Sequence, residues 1–184
     1  MRRRNVAFAF AVLAAVLITA MVRAGGGGGH DDHRGRGDRL SGYQENPDIS
    51  TVARGSFKID IDDHDETITY ELSYSGLEGT ITQAHVHFGK FGVNGGVSFF
   101  LCGVAAPVGT PGPAGTPTCP QEGTVERTIA AADIIGPAGQ GIEAMNFDEI
   151  VAAIRRGHAY ANVHSTKWPG GEIRAQISPR NARH

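Results

Sequence analysis

Gly157-His-Ala-Tyr-Ala-Asn-Val-His-Ser-Thr-Lys-Trp-Pro-Gly-Gly-Glu-Ile-Arg-Ala-Gln-Ile177 reads as two strands joined by a tight turn. Strand side chains alternate with period two. Tyr160, Asn162 and His164 therefore share one face of the first strand, and Ala161 and Val163 the other. Trp168-Pro169-Gly170-Gly171 supplies the turn, with proline fixing φ and the glycines free to take positive φ. The second strand sets Glu172, Arg174 and Gln176 against Ile173, Ala175 and Ile177. An isolated hairpin is marginal in water, so the rest of the chain has to supply the sheet that this one joins.

Upstream runs carry the same signal. Phe57, Ile59 and Ile61 alternate with Ser56, Lys58 and Asp60, and Ile68, Tyr70, Leu72 and Tyr74 with Thr67, Thr69, Glu71 and Ser73. The acidic segment Asp62–Glu66 between them lacks EF-hand spacing and reads as a solvated turn. Thr80 to Phe88 places Ile81, Gln83, His85 and His87 on one face, with Thr82, Ala84, Val86 and Phe88 on the other. Asn94-Gly95 is a strong hairpin signal, and Val97 to Leu101 returns as an apolar strand. A further strand is expected over Thr124 to Ile129. One helix is expected from Asn146 to Arg156, where Phe147, Ile150, Val151 and Ile154 form a stripe, Asn146 suits the N-cap and Gly157 the stop.

The chain has 184 residues, 40% of them hydrophobic, and 26 glycines. That is one domain's worth of a turn-rich β protein. Seven or eight short strands with one helix and no βαβ alternation predict a mainly β fold, an antiparallel β-sandwich or open barrel with one short helix.

The first 24 residues belong to no such fold. Arg2-Arg3-Arg4 precedes an apolar run from Val6 to Val22 and a small-residue segment, the layout of a secretory signal peptide. The run also approaches the length that spans a bilayer, so a membrane association is expected only where this segment stays uncleaved. Either way the domain is expected outside the cytoplasm: secreted, periplasmic or at the cell surface. Residues 25–39 read as a Gly-rich flexible linker, 40–178 as the β domain and 179–184 as a polar tail. The linker contains His30-Asp31-Asp32-His33, a weak metal-binding candidate, and Arg36-Gly37-Asp38, an adhesion tripeptide of low-complexity origin.

Without residues 1–24 and their four arginines, 13 basic residues face 19 acidic ones, a net charge of −6. An acidic surface argues against nucleic acid as a partner. Cys102 and Cys119 are the only cysteines and bracket a Pro/Gly-rich loop. In an exported protein such a pair is expected to form a disulfide.

Two histidines spaced His-x-His point to the same side of a strand, and a third from another strand completes a set. His85, His87 and His164 are thus the candidate ligands for copper or zinc. Glu45 and Glu172 are candidate carboxylates for orienting the rings. Asn162 and Arg174 share the polar face, and Glu172 and Arg174 are expected to hold the terminal hairpin to its neighbours rather than to perform catalysis. No nucleophile elbow, phosphate loop or dinucleotide fingerprint is present, and no catalytic residues are assigned.

Four motifs in order resemble the CHRD domain, first described in chordin and also present in bacterial secreted proteins. They are Leu40-Ser41-Gly42 with Gln44-Glu45 and Pro47; Tyr70-Glu71-Leu72 with Ser75-Gly76-Leu77; Ala84-His85-Val86-His87-Phe88-Gly89 with Gly92-Val93-Asn94-Gly95-Gly96; and Tyr160-Ala-Asn-Val-His164 with Pro169-Gly-Gly-Glu-Ile-Arg-Ala-Gln176. The resemblance implies a non-enzymatic extracytoplasmic binding or scaffold module with an unidentified protein or surface partner. His85-Val86-His87 followed by Asn94-Gly95 is also similar to the copper-ligand segment of copper/zinc superoxide dismutases. The zinc loop of those enzymes has no counterpart here. The alternative to a scaffold is thus a metal-binding protein with a three-His site.

Overall fold

A computed structural model of the chain describes residues 37–180 and 182. The expected signal peptide and nearly all of the expected linker, including His30 and His33, lie outside the described residues. So does half of the expected polar tail, residues 181, 183 and 184. No helix among the described residues is long and apolar enough to cross a membrane.

Eight strands form one antiparallel sheet: β1 (Asp38–Ser41), β2 (Arg54–Asp62), β3 (Thr67–Ser75), β4 (Ile81–Phe88), β5 (Gly96–Gly103), β6 (Gly123–Ala130), β7 (Ala159–Ser165) and β8 (Ile173–Gln176). Their order is β5-β4-β7-β8-β1-β2-β3-β6, which curls into a nearly closed barrel. Two of the three expected hairpins pair in unbroken register, Ile59 opposite Tyr70 and Asn162 opposite Arg174, while β4 and β5 pair with two register shifts.

β1 starts two residues earlier than the expected domain boundary. Asp38 and Arg39 pair with Phe57 and Ser56 on β2, and the Asp38 carboxylate accepts the Ser178 N–H at 2.9 Å. Pairing satisfies the backbone at Asp38, a residue type with no strand preference of its own.

β5 and β6 are the sheet's two ends, and side chains close the gap between their neighbourhoods. The buried Tyr70 and Tyr74 hydroxyls on β3 donate to Leu101 O on β5 and to Pro120 O just before β6, each at 2.6 Å. Cys102 on β5 is disulfide-bonded to Cys119, 17 residues on. Closing a loop of that size stabilises by roughly 3 kcal/mol in the chain-entropy model.

Inside the barrel lies one apolar core built from Phe57, Ile61, Ile68, Leu72, Val86, Phe99, Leu101 and Val163, among others. Helix α1 (Phe147–Arg155) adds Phe147, Ile150, Val151 and Ile154 to it. Asn146 caps the helix through Oδ1, which accepts the Glu149 N–H at 3.3 Å. Gly157 ends it at φ +72, a conformation that side chains with a Cβ rarely take.

Candidate metal centre

β4 and β7 are buried on both faces, and this is what makes the site. Ala84, Val86, Ala161 and Val163 face the apolar core. Alternation then puts His85 and His87 with Tyr160, Asn162 and His164 on the opposite face, where all five are also buried. Two loops cover that face. The Gly42–Glu45 turn reaches it through Glu45, whose Oε1 accepts from Asn162 Nδ2 at 2.6 Å. Residues 89–95 reach it through Gly95, whose N–H donates to the Tyr160 hydroxyl at 3.0 Å. The loops clasp each other: Asn46 Nδ2 donates to Gly92 O at 3.0 Å, and Asn94 Nδ2 to Asn46 O at 2.9 Å.

Antiparallel register explains how the histidines meet. His85 lies opposite Asn162, and His164 opposite Gln83, so His85 and His164 are diagonal neighbours. His87 is two residues along from His85 on the same face. Their ring centroids lie 5.1 Å (85–164), 5.4 Å (85–87) and 5.9 Å (87–164) apart. One nitrogen from each ring falls within 4.8 Å of the other two. The rings are only 3%, 8% and 5% exposed, for His85, His87 and His164 respectively.

Backbone carbonyls set the ring orientations. His87 Nδ1 lies 3.0 Å from Gly95 O, and His164 Nδ1 lies 3.0 Å from Pro169 O. A carbonyl only accepts, so both Nδ1 atoms carry the proton and both Nε2 atoms present lone pairs. His164 Nε2 lies 3.3 Å from His85 Nδ1. That is a long hydrogen bond, and it is also the edge of a tetrahedron about an ion with nitrogen at about 2.0–2.1 Å. The Nε2 atoms of His87 and His85 are buried with no hydrogen-bond partner. For His87, whose Nδ1 holds the proton, this leaves a buried lone pair without a donor, which is costly, and a metal ion is the partner that suits it. His85 offers an ion its Nδ1, and its Nε2 then carries the proton.

Burial holds all three imidazoles neutral. It pushes His85 down to about 2, with the neighbouring histidines adding to the effect. It lowers His87 to about 4 against the opposing Gly95 carbonyl. It lowers His164 as well, opposed by the Pro169 carbonyl. Neutral imidazole is the form that binds metal.

The flanking residues depart from expectation in one respect. Neither Glu45 nor Glu172 hydrogen-bonds a histidine ring; Gly95 O and Pro169 O do that work instead. Glu45 is engaged by Asn162 and by the charge of Arg174. Glu172 is fully buried and accepts from Thr51 Oγ1 (2.9 Å), the Glu78 N–H (2.7 Å) and Ser165 Oγ (2.5 Å). It ties the turn before β8 to three other segments. Close packing beside Glu45 requires a glycine at 171, where φ is +129 and a Cβ would sit 2.6 Å from Asn162 Oδ1.

Arg174 anchors the covering loop. Its Nη2 donates to Lys90 O (3.2 Å) and Val93 O (3.0 Å), and Nη1 to Asn94 Oδ1 (3.4 Å). The guanidinium lies 3.4 Å over the Tyr160 ring, and Tyr160 stacks on His87 at 4.8 Å. Arg174, Tyr160 and His87 thus form one buried column. Phe100, opposite His85 on β5, packs edge-on against it at 4.3 Å. Neither the carbonyl anchors nor Phe100 is legible in sequence, because a backbone oxygen has no residue signature and Phe100 reads as an ordinary strand residue.

A family model, the CHRD domain, matches residues 38–177. No curated protein and no solved structure matches the chain.

Proposed function

The chain belongs to the CHRD family, and from that premise we propose that it is an exported, non-enzymatic binding module whose ligand is one copper or zinc ion on His85, His87 and His164. The observation that carries the reading is His87. Its Nδ1 proton is committed to Gly95 O, its Nε2 lone pair is buried and partnerless, and its ring sits in one cluster with two further imidazoles. Export is supported by the basic and apolar N-terminal segment and by the Cys102–Cys119 disulfide, which suits an oxidising compartment.

Calorimetric titration of the full chain with zinc or copper tests this. One ion per chain is expected. His164→Ala should weaken it by more than the roughly 10–100-fold that loss of an outer-shell partner costs. His64→Ala, in the exposed turn between β2 and β3, should leave affinity unchanged. Equal affinity in the two variants overturns the site and assigns any uptake to His30 and His33.

Ordinary imidazoles would lose the metal as pH falls through about 6.5. Burial moves that loss downward, because His85 and His87 take protons only near 2 and 4. Affinity is therefore expected to stay level between pH 7 and pH 5.

A further inference from the structure

We infer that this centre is selective for monovalent copper over divalent zinc, because three neutral imidazoles, no carboxylate and a neighbouring guanidinium surround it. The inference rests on the three-imidazole reading above and concerns which ion that site takes.

The ligand group is His85, His87 and His164, and no carboxylate or thiolate joins it among the described residues. The donor set is therefore neutral, and the full charge of any ion enters a buried layer uncompensated. The cost of placing an ion in such a layer rises with the square of its charge, so a dication is penalised about four times as heavily as a monocation.

Two carboxylates lie buried in the same region, and both are occupied elsewhere. Glu172 accepts from Thr51, Ser165 and the Glu78 N–H. Glu45 accepts from Asn162 and faces the charge of Arg174. Arg174 itself adds to the penalty. Its guanidinium is stacked on Tyr160, which is stacked on His87, so a fixed positive charge stands one ring beyond the ligand.

Ligand number points the same way. Zinc on three protein ligands takes a further ligand, usually water, to reach four. The rings here are at most 8% exposed beneath the clasped 42–47 and 89–95 loops. Imidazole suits zinc and copper alike, so ligand number is what separates them here: a d¹⁰ monocation is content with three nitrogens and needs no such water.

The test is competition on the full chain. Copper(I), kept reduced by ascorbate under nitrogen, is titrated against bicinchoninate. Zinc(II) is titrated separately against a zinc chromophore at the same pH, and both are repeated with His87→Gln. The expected result is copper(I) bound at least about 100-fold more tightly than zinc(II), a gap on the scale that one uncompensated buried charge creates, with the preference lost in His87→Gln. Zinc bound as tightly as copper(I), or more tightly, overturns the inference and leaves the three-imidazole site standing. Absence of both ions from the wild-type centre overturns the inference and the proposed function together.

Discussion

Arg174→Ala is expected to lower stability by about 3–5 kcal/mol, the range for removing one partner from a buried charged network. For a domain of this size that is a fall of about 10 °C or more in melting temperature. Arg174 is fully buried, and its loss removes donors from Lys90 O, Val93 O and Asn94 Oδ1 at once. It also takes the counter-charge from Glu45 and the lid from Tyr160. Arg174→Lys keeps the charge but not the planar fork that spans these acceptors, so it should recover less than half of the loss. Thermal unfolding of both variants beside wild type measures this. An alanine variant that melts with wild type refutes the anchoring role.

Glu45→Gln should stabilise the protein at pH 8 and do little at pH 4. Burial raises the Glu45 carboxyl from 4.5 to about 7, against the opposing Asn162 hydrogen bond and Arg174 charge. A group whose folded pKa is raised holds its favourable contribution below its unfolded value and loses it as pH rises through the folded one. Between about pH 4.5 and 7 the wild type therefore loses stability from this residue, and at pH 8 the full penalty applies, about 3 kcal/mol. Glutamine keeps an acceptor for Asn162 and never ionises. Denaturant unfolding at pH 4 and pH 8 reads the difference. A gain of equal size at both pH values would sink the idea.

Much of the fold was legible because strand alternation is a local signal. Ile59 and Tyr70, or Ala161 and Ala175, announce their faces within a few residues, and their pairing follows. Helix α1 announced its cap, stripe and stop in the same way. The choice between sandwich and barrel was not local. It involves contacts between the sheet's two ends, such as the Tyr70 hydroxyl of β3 reaching Leu101 O of β5, 31 residues away. The three histidines were legible as a group because His-x-His on one strand and a His on the next polar face obey the same period. Their surroundings were not. What buries the polar face is a pair of loops joined by Asn46 and Asn94, and what orients the rings is backbone oxygen. Carboxylates were the natural expectation for that second task, yet Glu45 and Glu172 serve the hairpin and its neighbours instead.

X-ray absorption of the full chain loaded with one equivalent of copper tests the central claim most directly. The account predicts nitrogen neighbours at about 2.0 Å, a distance typical of metal–imidazole bonds, with outer-shell scattering from three imidazole rings and its disappearance in His85→Gln. A first shell of oxygen alone, or an imidazole pattern unchanged in His85→Gln, would contradict it.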